Sequence, residues 1–291
     1  MENPDRLLEK ILFISFGGKE KIKEYQMVAA GNLNQAIYLK TERQEYFLKT
    51  NHQNNPEIYK REREGLEWIR NHCPLHVPEV IVTGTCEDTQ YLLMEWVRTS
   101  KSDPAFSKKL GEGLAELHMH TQKEFGLDVN NYISVLPQSN ENEMDWTSFF
   151  IQKRLEPMVQ RAYYEGHISE NFLREFRMIY PKLKGFFPYE KPSLLHGDLW
   201  SGNVMVNSLG LPSLIDPAVY FGHREMDLAF SKLFGGFDPS FYKAYQEVFP
   251  LDPGFEQRVE VYNLYPLLVH LNLFGSSYLS GITRVVKKLL R

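Results

Sequence analysis

Short apolar segments separated by turn-forming residues make up the first third of the chain. Apolar, β-branched and aromatic residues cluster in five of them, at residues 26–28, 36–40, 46–49, 80–84 and 91–95, and predict strands. One longer stretch, residues 56–71, places Tyr59, Leu66 and Ile69 at helix-compatible spacing among charged residues. The first third therefore predicts a β-rich layer that contains one helix.

After this layer the pattern becomes helical. Leu110, Leu114, Leu117 and Thr121 recur on one helical face, and Ser107 is the expected N-cap. Further helices are predicted at residues 146–165, 169–185, 239–249, 256–274 and 276–290. A compact segment with strand and loop patterns, residues 194–216, lies between them. Because loops on a rigid scaffold often carry chemistry, we expect the active site in this segment.

The change of pattern predicts an α+β chain with two lobes. We assign residues 1–97 to an N-terminal lobe, with an antiparallel sheet and one main helix, and residues 98–291 to a larger, mainly helical lobe. A length of 291 residues suits two small lobes that share an interface.

Composition and charge narrow the range of partners. Hydrophobic residues make up 43% and charged residues 24% of the chain, as in ordinary globular proteins. The formal net charge of −4 and the scattered basic residues argue against nucleic-acid binding. No apolar segment reaches the roughly 18 residues of a membrane span, and the acidic start is unlike a signal peptide. Cys73 and Cys86 are expected to be buried free thiols, so we predict a cytoplasmic protein that acts on small molecules.

The most informative motif is LLHGDLWSGN at residues 194–203, followed by LIDP at residues 214–217. His196, Asp198 and Asn203 have the spacing of a kinase catalytic loop, with glycine in place of the usual arginine. Asp216 follows two apolar residues, at the distance expected for a metal-binding aspartate on an adjoining strand. A single Gly-Asp or Gly-Asn pair is usually just a turn. Here His196, Gly197, Asp198 and Asn203 all occur at the spacing of the kinase loop, and together with Asp216 they predict a protein-kinase-like site.

Phosphoryl transfer needs these residue types because its transition state is loose and anionic, so the protein supplies positioning and countercharge. Asp198 would orient an acceptor hydroxyl and receive its proton. Asn203 and Asp216 offer the oxygen ligands that Mg²⁺ prefers. His196 is expected to fix the geometry of the loop.

A nucleotide site should lie upstream of this loop. Lys49 lies on a predicted strand, as the phosphate-contacting lysine of kinases does, and Glu62 on the next helix is the expected partner. Glu64 is a rival, but residues two apart cannot share a helix face. Gly31 and Asn32 lie in a weak phosphate loop, AAGN, which has one glycine of the usual three.

The last predicted strand of the first lobe ends where a hinge between lobes would lie. Adenine would dock there, contacting the segment Glu95, Trp96 and Val97. Backbone groups of Glu95 and Val97 would read the base, so the identity of the side chains carries little information. A buried strand end is the simpler alternative.

These motifs together resemble the fructosamine kinase family, also called ketosamine-3-kinases. The resemblance includes residues 216–229 (DPAVYFGHREMDLA), 125–127 (FGL), 137–138 (PQ), 146–150 (WTSFF), 235–237 (GGF) and 273–275 (LFG). WSGN at residues 200–203 is the sharpest marker, because related aminoglycoside and choline kinases typically lack this tryptophan.

The resemblance implies an enzyme that uses ATP and Mg²⁺ to phosphorylate the 3-hydroxyl of a ketosamine, such as a fructosamine or ribulosamine. The phosphorylated adduct would break down, which would deglycate a protein or metabolite. By position, Asp198 is the implied proton acceptor and Asp227 the acidic residue that braces the catalytic loop. For Asp227, a favourable charge near a helix N-terminus is an equal alternative. Trp200 is expected to border the acceptor pocket, although it could instead pack in the core, and His223 is a second candidate for substrate contact.

Two other functions remain open from the sequence. One is a kinase of the same fold that acts on another hydroxylated or amino substrate. The other is a pseudokinase that binds a nucleotide and acts as a scaffold, although Lys49, Asp198, Asn203 and Asp216 are all present. The natural acceptor and the oligomeric state are not predicted.

Overall fold

A computed structural model describes residues 4–30, 34–51, 55 and 57–291. Its first part contains an antiparallel sheet of five strands in the order β1-β2-β3-β5-β4. The strands are β1 (Ile22–Ala30), β2 (Asn34–Thr41), β3 (Glu45–Asn51), β4 (Val80–Cys86) and β5 (Thr89–Glu95). The five strands predicted from the sequence are therefore confirmed, with longer bounds.

Two helices accompany this sheet, α1 (Pro4–Phe16) and α2 (Glu57–His72). Leu8, Ile11 and Leu12 of α1 form a buried cluster with Leu39 and Leu48 of the sheet. Because side chains alternate along a strand, Leu48 faces this cluster while its neighbour Lys49 faces the opposite side. The alternation in β3 thus places the Lys49 ammonium on the face directed toward the catalytic loop.

A second and larger core crosses the predicted boundary between the lobes. Leu66 and Ile69 of α2 and Leu92 of β5 belong to the same buried cluster as residues of the C-terminal helices, such as Leu110 and Leu194. The last helix and the last strand of the first part therefore share one hydrophobic core with the remainder. The division at residues 97 and 98 stays a prediction.

Helices dominate the remainder of the chain. They are α3 (Phe106–His118), α4 (Trp146–Phe149), α5 (Glu156–Tyr164), α6 (Glu170–Arg177), α7 (Tyr180–Leu183), α8 (Glu225–Ser231), α9 (Pro239–Val248), α10 (Phe255–Tyr262), α11 (Leu264–Phe274) and α12 (Leu279–Leu290). A π-helical segment, Phe150–Leu155, connects α4 to α5. One-turn 3-10 helices lie at Ser201–Asn203 and Ser276–Tyr278.

Three short antiparallel strand pairs lie among these helices. They are β6 (Asn131–Ile133) with β7 (Leu136–Gln138), β8 (Ser193–Leu195) with β11 (Tyr220–Gly222), and β9 (Val204–Val206) with β10 (Pro212–Leu214). The β8–β11 pair joins the start of the predicted catalytic segment to the residues just after its end, and the β9–β10 pair lies within the segment. The β6–β7 pair was not predicted from the sequence.

Several helix ends differ from the predictions. Ser107 is not the N-cap of α3, because Ala105 holds that position and the Asp103 carboxylate accepts the Ala105 N–H at 2.7 Å. Thr121 lies beyond the end of α3, in an antiparallel bridge with Ser193. The helices predicted at 169–185 and 256–274 are each divided in two, and each second half carries a proline near its start, Pro181 or Pro266, where a missing N–H costs least.

Two further predictions concern membranes and thiols. Among the described residues, no helix combines the length and the apolar character that crossing a membrane requires. Cys86 is buried, as predicted, whereas Cys73 is only partly buried.

Candidate active site

The predicted catalytic loop leaves the buried strand β8 and ends in the 3-10 turn at Asn203. The Asn203 side chain donates from Nδ2 to the Asp198 backbone oxygen at 2.8 Å and to Asp198 Oδ2 at 2.9 Å. These bonds fix the Asp198 carboxylate and leave the Asn203 amide oxygen as the atom that could serve as a ligand. The five-residue spacing read from the sequence therefore brings the two side chains into direct contact.

Asp227 of α8 holds the start of this loop. Its two carboxylate oxygens accept the backbone N–H groups of His196 at 2.7 Å and Gly197 at 2.9 Å. A buried histidine of α3, His118, contacts the same carboxylate through Nε2 at 3.2 Å. Asp227 thus makes the backbone contacts that the family resemblance implies, in addition to placing a negative charge in the first turn of its helix.

The His196 side chain is bonded within the loop. Its Nδ1 accepts the Asp198 N–H at 3.3 Å, and its Nε2 donates to the Ile215 carbonyl at 3.0 Å. Burial lowers the pKa of His196, against the effect of Asp227. A neutral ring with both nitrogens engaged agrees with the predicted role in loop geometry.

Gly197 is the residue that replaces arginine in the kinase-like motif. Its φ is +82°, and a Cβ atom at this position would lie 2.0 Å from the Ala218 carbonyl oxygen. Only glycine combines this left-handed backbone with such a close approach. The glycine therefore allows the loop to pack directly on the chain that follows Asp216.

Lys49, Glu62 and Asp216 form a cluster of three charges. The Lys49 ammonium lies 2.7 Å from Glu62 Oε1 and 2.5 Å from Asp216 Oδ1. Burial alone would lower the pKa of Lys49, but the two carboxylates outweigh it and raise the pKa above its usual value. Lys49 is thus a fixed cation, and the cluster connects β3, α2 and the catalytic segment.

The choice between Glu62 and Glu64 is settled by these contacts. Glu62 faces Lys49, whereas the Glu64 carboxylate pairs with Arg61 at 2.7 Å on another side of α2. The two glutamates point to different sides because residues two positions apart on a helix are rotated by about 200°. Glu62 is therefore the partner of Lys49, as predicted.

One cavity of about 340 Å³ brings together six of the predicted site residues. The predicted residues in its wall are Lys49, Glu62, Asp198, Trp200, Asn203 and Asp216. Asn131 and Tyr132 of the β6–β7 pair also line it. Sequence reasoning missed this hairpin, although Pro137 and Gln138 were among the residues that carried the resemblance.

The Asp198 carboxyl has a strongly shifted pKa. Burial raises the pKa to about 7, the charges of Asp216 and Asp227 add to the shift, and the bond from Asn203 opposes it. A carboxylate with a pKa near neutrality is well matched to accepting a proton at physiological pH.

The oxygen atoms in this cavity fit Mg²⁺. Among the described residues, no group of three or more His, Cys, Asp and Glu side chains could hold a metal ion alone. Mg²⁺ does not need such a group, because one or two protein oxygens, substrate phosphates and water complete its shell. Asp216 and the Asn203 amide oxygen supply hard donors of this kind.

Trp200 faces the cavity at the turn after Asp198. Its ring lies 6.0 Å from that of Phe234, edge to face. A Cβ atom on Gly202 would lie 2.3 Å from the Trp200 ring, so the glycine leaves the space that the ring occupies. The indole is thus held as part of the cavity wall and is not fully packed in the core.

His223 does not line this cavity, and its contact with the substrate stays a prediction. The side chain is buried, stacks on Trp146 with ring centroids 4.6 Å apart, and contacts the Tyr262 hydroxyl through Nδ1 at 3.0 Å. Burial and the cations of Arg258 and Arg224 lower its pKa to about 3. His223 is a neutral packing residue, because the turn between β11 and α8 directs its side chain into the aromatic core.

The predicted hinge does not line the cavity that contains Asp198. The Glu95 N–H donates to the Glu79 carbonyl at 2.8 Å, and Val97 is buried. Trp96 packs against Tyr38, with centroids 4.7 Å apart, and lines a shallow second cavity of about 660 Å³. Contact of these three residues with adenine stays a prediction. Gly31 and Asn32 lie outside the described residues.

Comparisons with known proteins agree with this geometry. Residues 7–291 match the model of the family described as fructosamine kinase. A probable ketoamine kinase of Enterococcus faecium is 40% identical over 265 residues, which is 89% of this chain and 93% of that protein. A chloroplastic protein-ribulosamine 3-kinase of Oryza sativa is 33% identical, with 94% and 81% of the two chains covered.

Solved structures show the same fold. A putative fructosamine-3-kinase from Haemophilus somnus is 28% identical, with a TM-score of 0.88 and 98% and 97% of the two chains covered. An aminoglycoside phosphotransferase is only 15% identical, with a TM-score of 0.66 and 98% and 99% covered, and it shows likeness of fold alone. The chain belongs to the fructosamine kinase family and is a kinase of the protein-kinase-like fold.

Proposed function

We propose that this chain transfers the γ-phosphoryl group of ATP to the 3-hydroxyl of a ketosamine. One observation carries the proposal: Asp198, with a pKa near 7, shares a single cavity with Asn203, Asp216, Lys49 and Trp200. A proton acceptor, oxygen ligands, a fixed cation and an aromatic wall are the parts that such a transfer needs.

Asp198 acts on the acceptor. Its carboxylate accepts a hydrogen bond from the acceptor hydroxyl, orients the oxygen toward the phosphorus and takes the proton as the new O–P bond forms. The bond from Asn203 Nδ2 keeps one carboxylate oxygen in place during this step. The oxygen that does not accept this bond is the natural partner of the substrate.

Lys49 acts on the nucleotide. In the described structure its ammonium is held between Glu62 and Asp216, and from this position it contacts the ATP phosphates. Asn203 and Asp216 hold Mg²⁺, which when bound offsets the negative charge on the transferred phosphoryl group. The segment from Glu95 to Val97 would contact adenine. Residues 1–97 and 98–291 then form the nucleotide-binding and acceptor-binding lobes.

The ketosamine acceptor is proposed from the relatives and from Trp200. The relatives are named for ketoamines and for protein-bound ribulosamine. Trp200 lies two residues after Asp198 in the chain. The protonated secondary amine of a ketosamine could make a cation–π contact with its indole ring and be attracted by the nearby carboxylate. A phosphate at carbon 3 is a better leaving group than hydroxide, so its elimination would lead to release of the amine and to deglycation in the cytoplasm.

The experiment is Mg²⁺-dependent ADP release with ribuloselysine or fructoselysine as the acceptor. Wild type is compared with Asp198→Asn and with Asp128→Asn, which makes the same change at an exposed carboxylate outside the cavity. Release should require the ketosamine, should be absent with unmodified lysine, and should fall by about 10²–10⁴-fold only in Asp198→Asn.

Two other outcomes would replace the proposal. Turnover of a different hydroxylated substrate, with neither ketosamine used, would make the chain a kinase with another acceptor. ATP binding without turnover of any acceptor would identify a pseudokinase.

A further inference from the structure

A buried arginine without a carboxylate partner lies behind the cavity. Arg154, in the π-helical segment, is completely buried. Within the described part of the chain it forms no ion pair, and its Nε atom has no hydrogen-bond partner. Instead, the guanidinium lies 4.0 Å from the ring centroid of Tyr220 and 4.6 Å from that of Phe149. Burial of an unpaired cation is costly, which points to a specific use.

The remaining guanidinium nitrogens hold the loop after β7. Nη1 donates to the Ser139 carbonyl at 2.5 Å, and Nη2 donates to Asn140 Oδ1 at 2.7 Å. A guanidinium can only donate hydrogen bonds. The Asn140 amide is therefore fixed with its oxygen toward Arg154 and its nitrogen toward Asn131 and the Val129 carbonyl, to which it donates at 3.1 Å.

Two amide donors then converge on one oxygen of Asn131. Asn140 Nδ2 donates to Asn131 Oδ1 at 2.9 Å, and Gln138 Nε2 donates to the same atom at 2.8 Å. The Tyr265 hydroxyl donates to Gln138 Oε1 at 2.6 Å and fixes that amide as well. With its oxygen engaged twice, Asn131 can only present its nitrogen, which donates to the Val219 carbonyl at 2.8 Å.

This hydrogen-bonded series ends on the backbone that follows Asp216. Gln138 Nε2 also donates to the Ala218 carbonyl at 3.2 Å, while the Ala218 N–H donates to the His196 carbonyl at 2.9 Å. Residues 218 and 219 are thus held between the catalytic loop and the amide series. Asp216 itself has a φ of +55°, in the left-handed region that a non-glycine residue seldom adopts. Such a conformation persists only where the surroundings impose it.

We propose that Arg154, Asn140, Gln138 and Asn131 form an amide relay that positions Asp216 to hold Mg²⁺ with the nucleotide. The four are positioning residues, since they act through the backbone of residues 217–219. The inference rests on the proposed function. Gln138 and residues 146–150 carry part of the family resemblance, but the proposed reaction does not use them. The relay gives Gln138 a role, and residues 146–150 lead into the π-helical segment that contains Arg154.

Asn140→Asp separates positioning from stability. The new carboxylate gives Arg154 an ion pair inside the core, which offsets the loss of the bond to the Val129 carbonyl, so the melting temperature should stay close to that of the wild type. The same change replaces the donor to Asn131 by an acceptor. The Asn131 amide must then turn toward the new carboxylate, which breaks its bond to the Val219 carbonyl and releases the segment after Asp216.

Metal affinity is the main readout, and kcat is the second. Mn²⁺ replaces Mg²⁺, and its binding is followed by electron paramagnetic resonance in the presence of a non-hydrolysable ATP analogue. Asn140→Asp should weaken Mn²⁺ binding by about 10–100-fold and lower kcat by a similar factor, the range typical of residues that orient metal ligands. The KM for the acceptor should stay within about threefold.

Asn272→Asp is the matched control. Asn272 is a partly buried amide of α11 whose Nδ2 donates to the Met158 carbonyl at 3.0 Å, outside the relay. It should lower the melting temperature while Mn²⁺ affinity and kcat stay at the wild-type level. Equal losses of metal affinity in both variants, or wild-type metal affinity in Asn140→Asp, would overturn the relay.

A second variant and the metal measurement on wild type cover the cases in which Asn140→Asp does not fold or the proposed function is wrong. If Asn140→Asp does not fold, Tyr265→Phe removes only the donor to Gln138 and should weaken Mn²⁺ binding by about fivefold; unchanged binding then refutes the relay. Because the metal measurement uses no acceptor, a wild type that binds Mn²⁺ with the analogue but turns over no ketosamine refutes the proposed function and leaves the relay to be judged separately.

Discussion

Protonation of Asp198 is expected to control the pH dependence of the reaction. The pKa of this carboxyl is about 7 instead of 3.8, because burial and the charges of Asp216 and Asp227 disfavour ionisation more than the bond from Asn203 favours it. Only the ionised carboxylate can accept the hydroxyl proton. The rate should therefore fall as the pH drops through 7.

The size of the effect follows from the ionised fraction. With a pKa of about 7, roughly one molecule in eleven is ionised at pH 6 and roughly ten in eleven at pH 8. The value of kcat/KM should therefore rise about tenfold between pH 6 and pH 8 and then level off. An ordinary aspartate would give a flat profile over this range.

The same shift has a consequence for stability. A carboxyl whose pKa is higher in the folded state binds more protons when folded, so its contribution to stability falls as the pH rises from about 4 to about 7. Asp198→Asn removes this loss. Relative to wild type, the variant should gain stability across that window, by up to about 4 kcal/mol and by less to the extent that water in the cavity hydrates the carboxylate.

Two assays check this reasoning. The first measures kcat/KM from pH 5.5 to 9 with Mg²⁺ in excess, and the residual rate of Asp198→Asn should lack the step near pH 7. The second compares denaturant unfolding of the two proteins at pH 4 and pH 8. A wild-type profile that is flat between pH 6 and 8, together with equal unfolding free energies at pH 8, would show that Asp198 ionises normally.

Three further substitutions test the site. Glu62→Gln should lower kcat/KM for ATP by about 10–100-fold in steady-state kinetics, because Lys49 loses one of its two carboxylate partners. Glu64→Gln breaks only the pair with Arg61 and should change kcat/KM by less than about threefold. Equal effects of the two substitutions would contradict the assignment of Glu62 as the partner of Lys49. Asp227→Asn should cost about 1–3 kcal/mol in denaturant unfolding and also lower kcat, because an amide cannot accept both loop N–H groups; full stability would argue against the brace. Trp200→Ala should raise KM for the acceptor about tenfold with KM for ATP unchanged, and a rise confined to ATP would place the indole in the nucleotide site.

Local sequence patterns predicted much of the fold and the centre of the site. Clusters of apolar, β-branched and aromatic residues bounded by turn residues identified the five strands, and the structure shows that alternation within β3 directs Lys49 away from the face of the buried Leu48. The spacing from His196 to Asn203 covers eight residues, so the contact between Asp198 and Asn203 depends only on one tight turn. Such features depend on residues that are close in the sequence, so they can be predicted without knowing which distant residues pack against them.

Other features depended on contacts between segments far apart in the chain. His223 carries a polar ring, but the packing of Trp146 and Tyr262 around it decided that it is buried. No sequence signal marks Asn131 as a cavity residue, because its position depends on Arg154, Gln138 and Asn140 reaching it from other turns. The helix breaks near Pro181 and Pro266 were missed because proline in a first turn is compatible with a continuous apolar period.

The sequence by itself determined the kinds of groups that meet in this protein: a strand lysine, a helical glutamate, and the Asp198, Asn203 and Asp216 set within one short segment. The tertiary structure decided which glutamate meets Lys49 and how Asp216 is held in its left-handed backbone. The physical reason is the range of the interactions. Hydrogen-bonded turns and strand alternation are set by neighbours in the chain, whereas burial, ion pairing and backbone clamping are set by residues that only folding brings together.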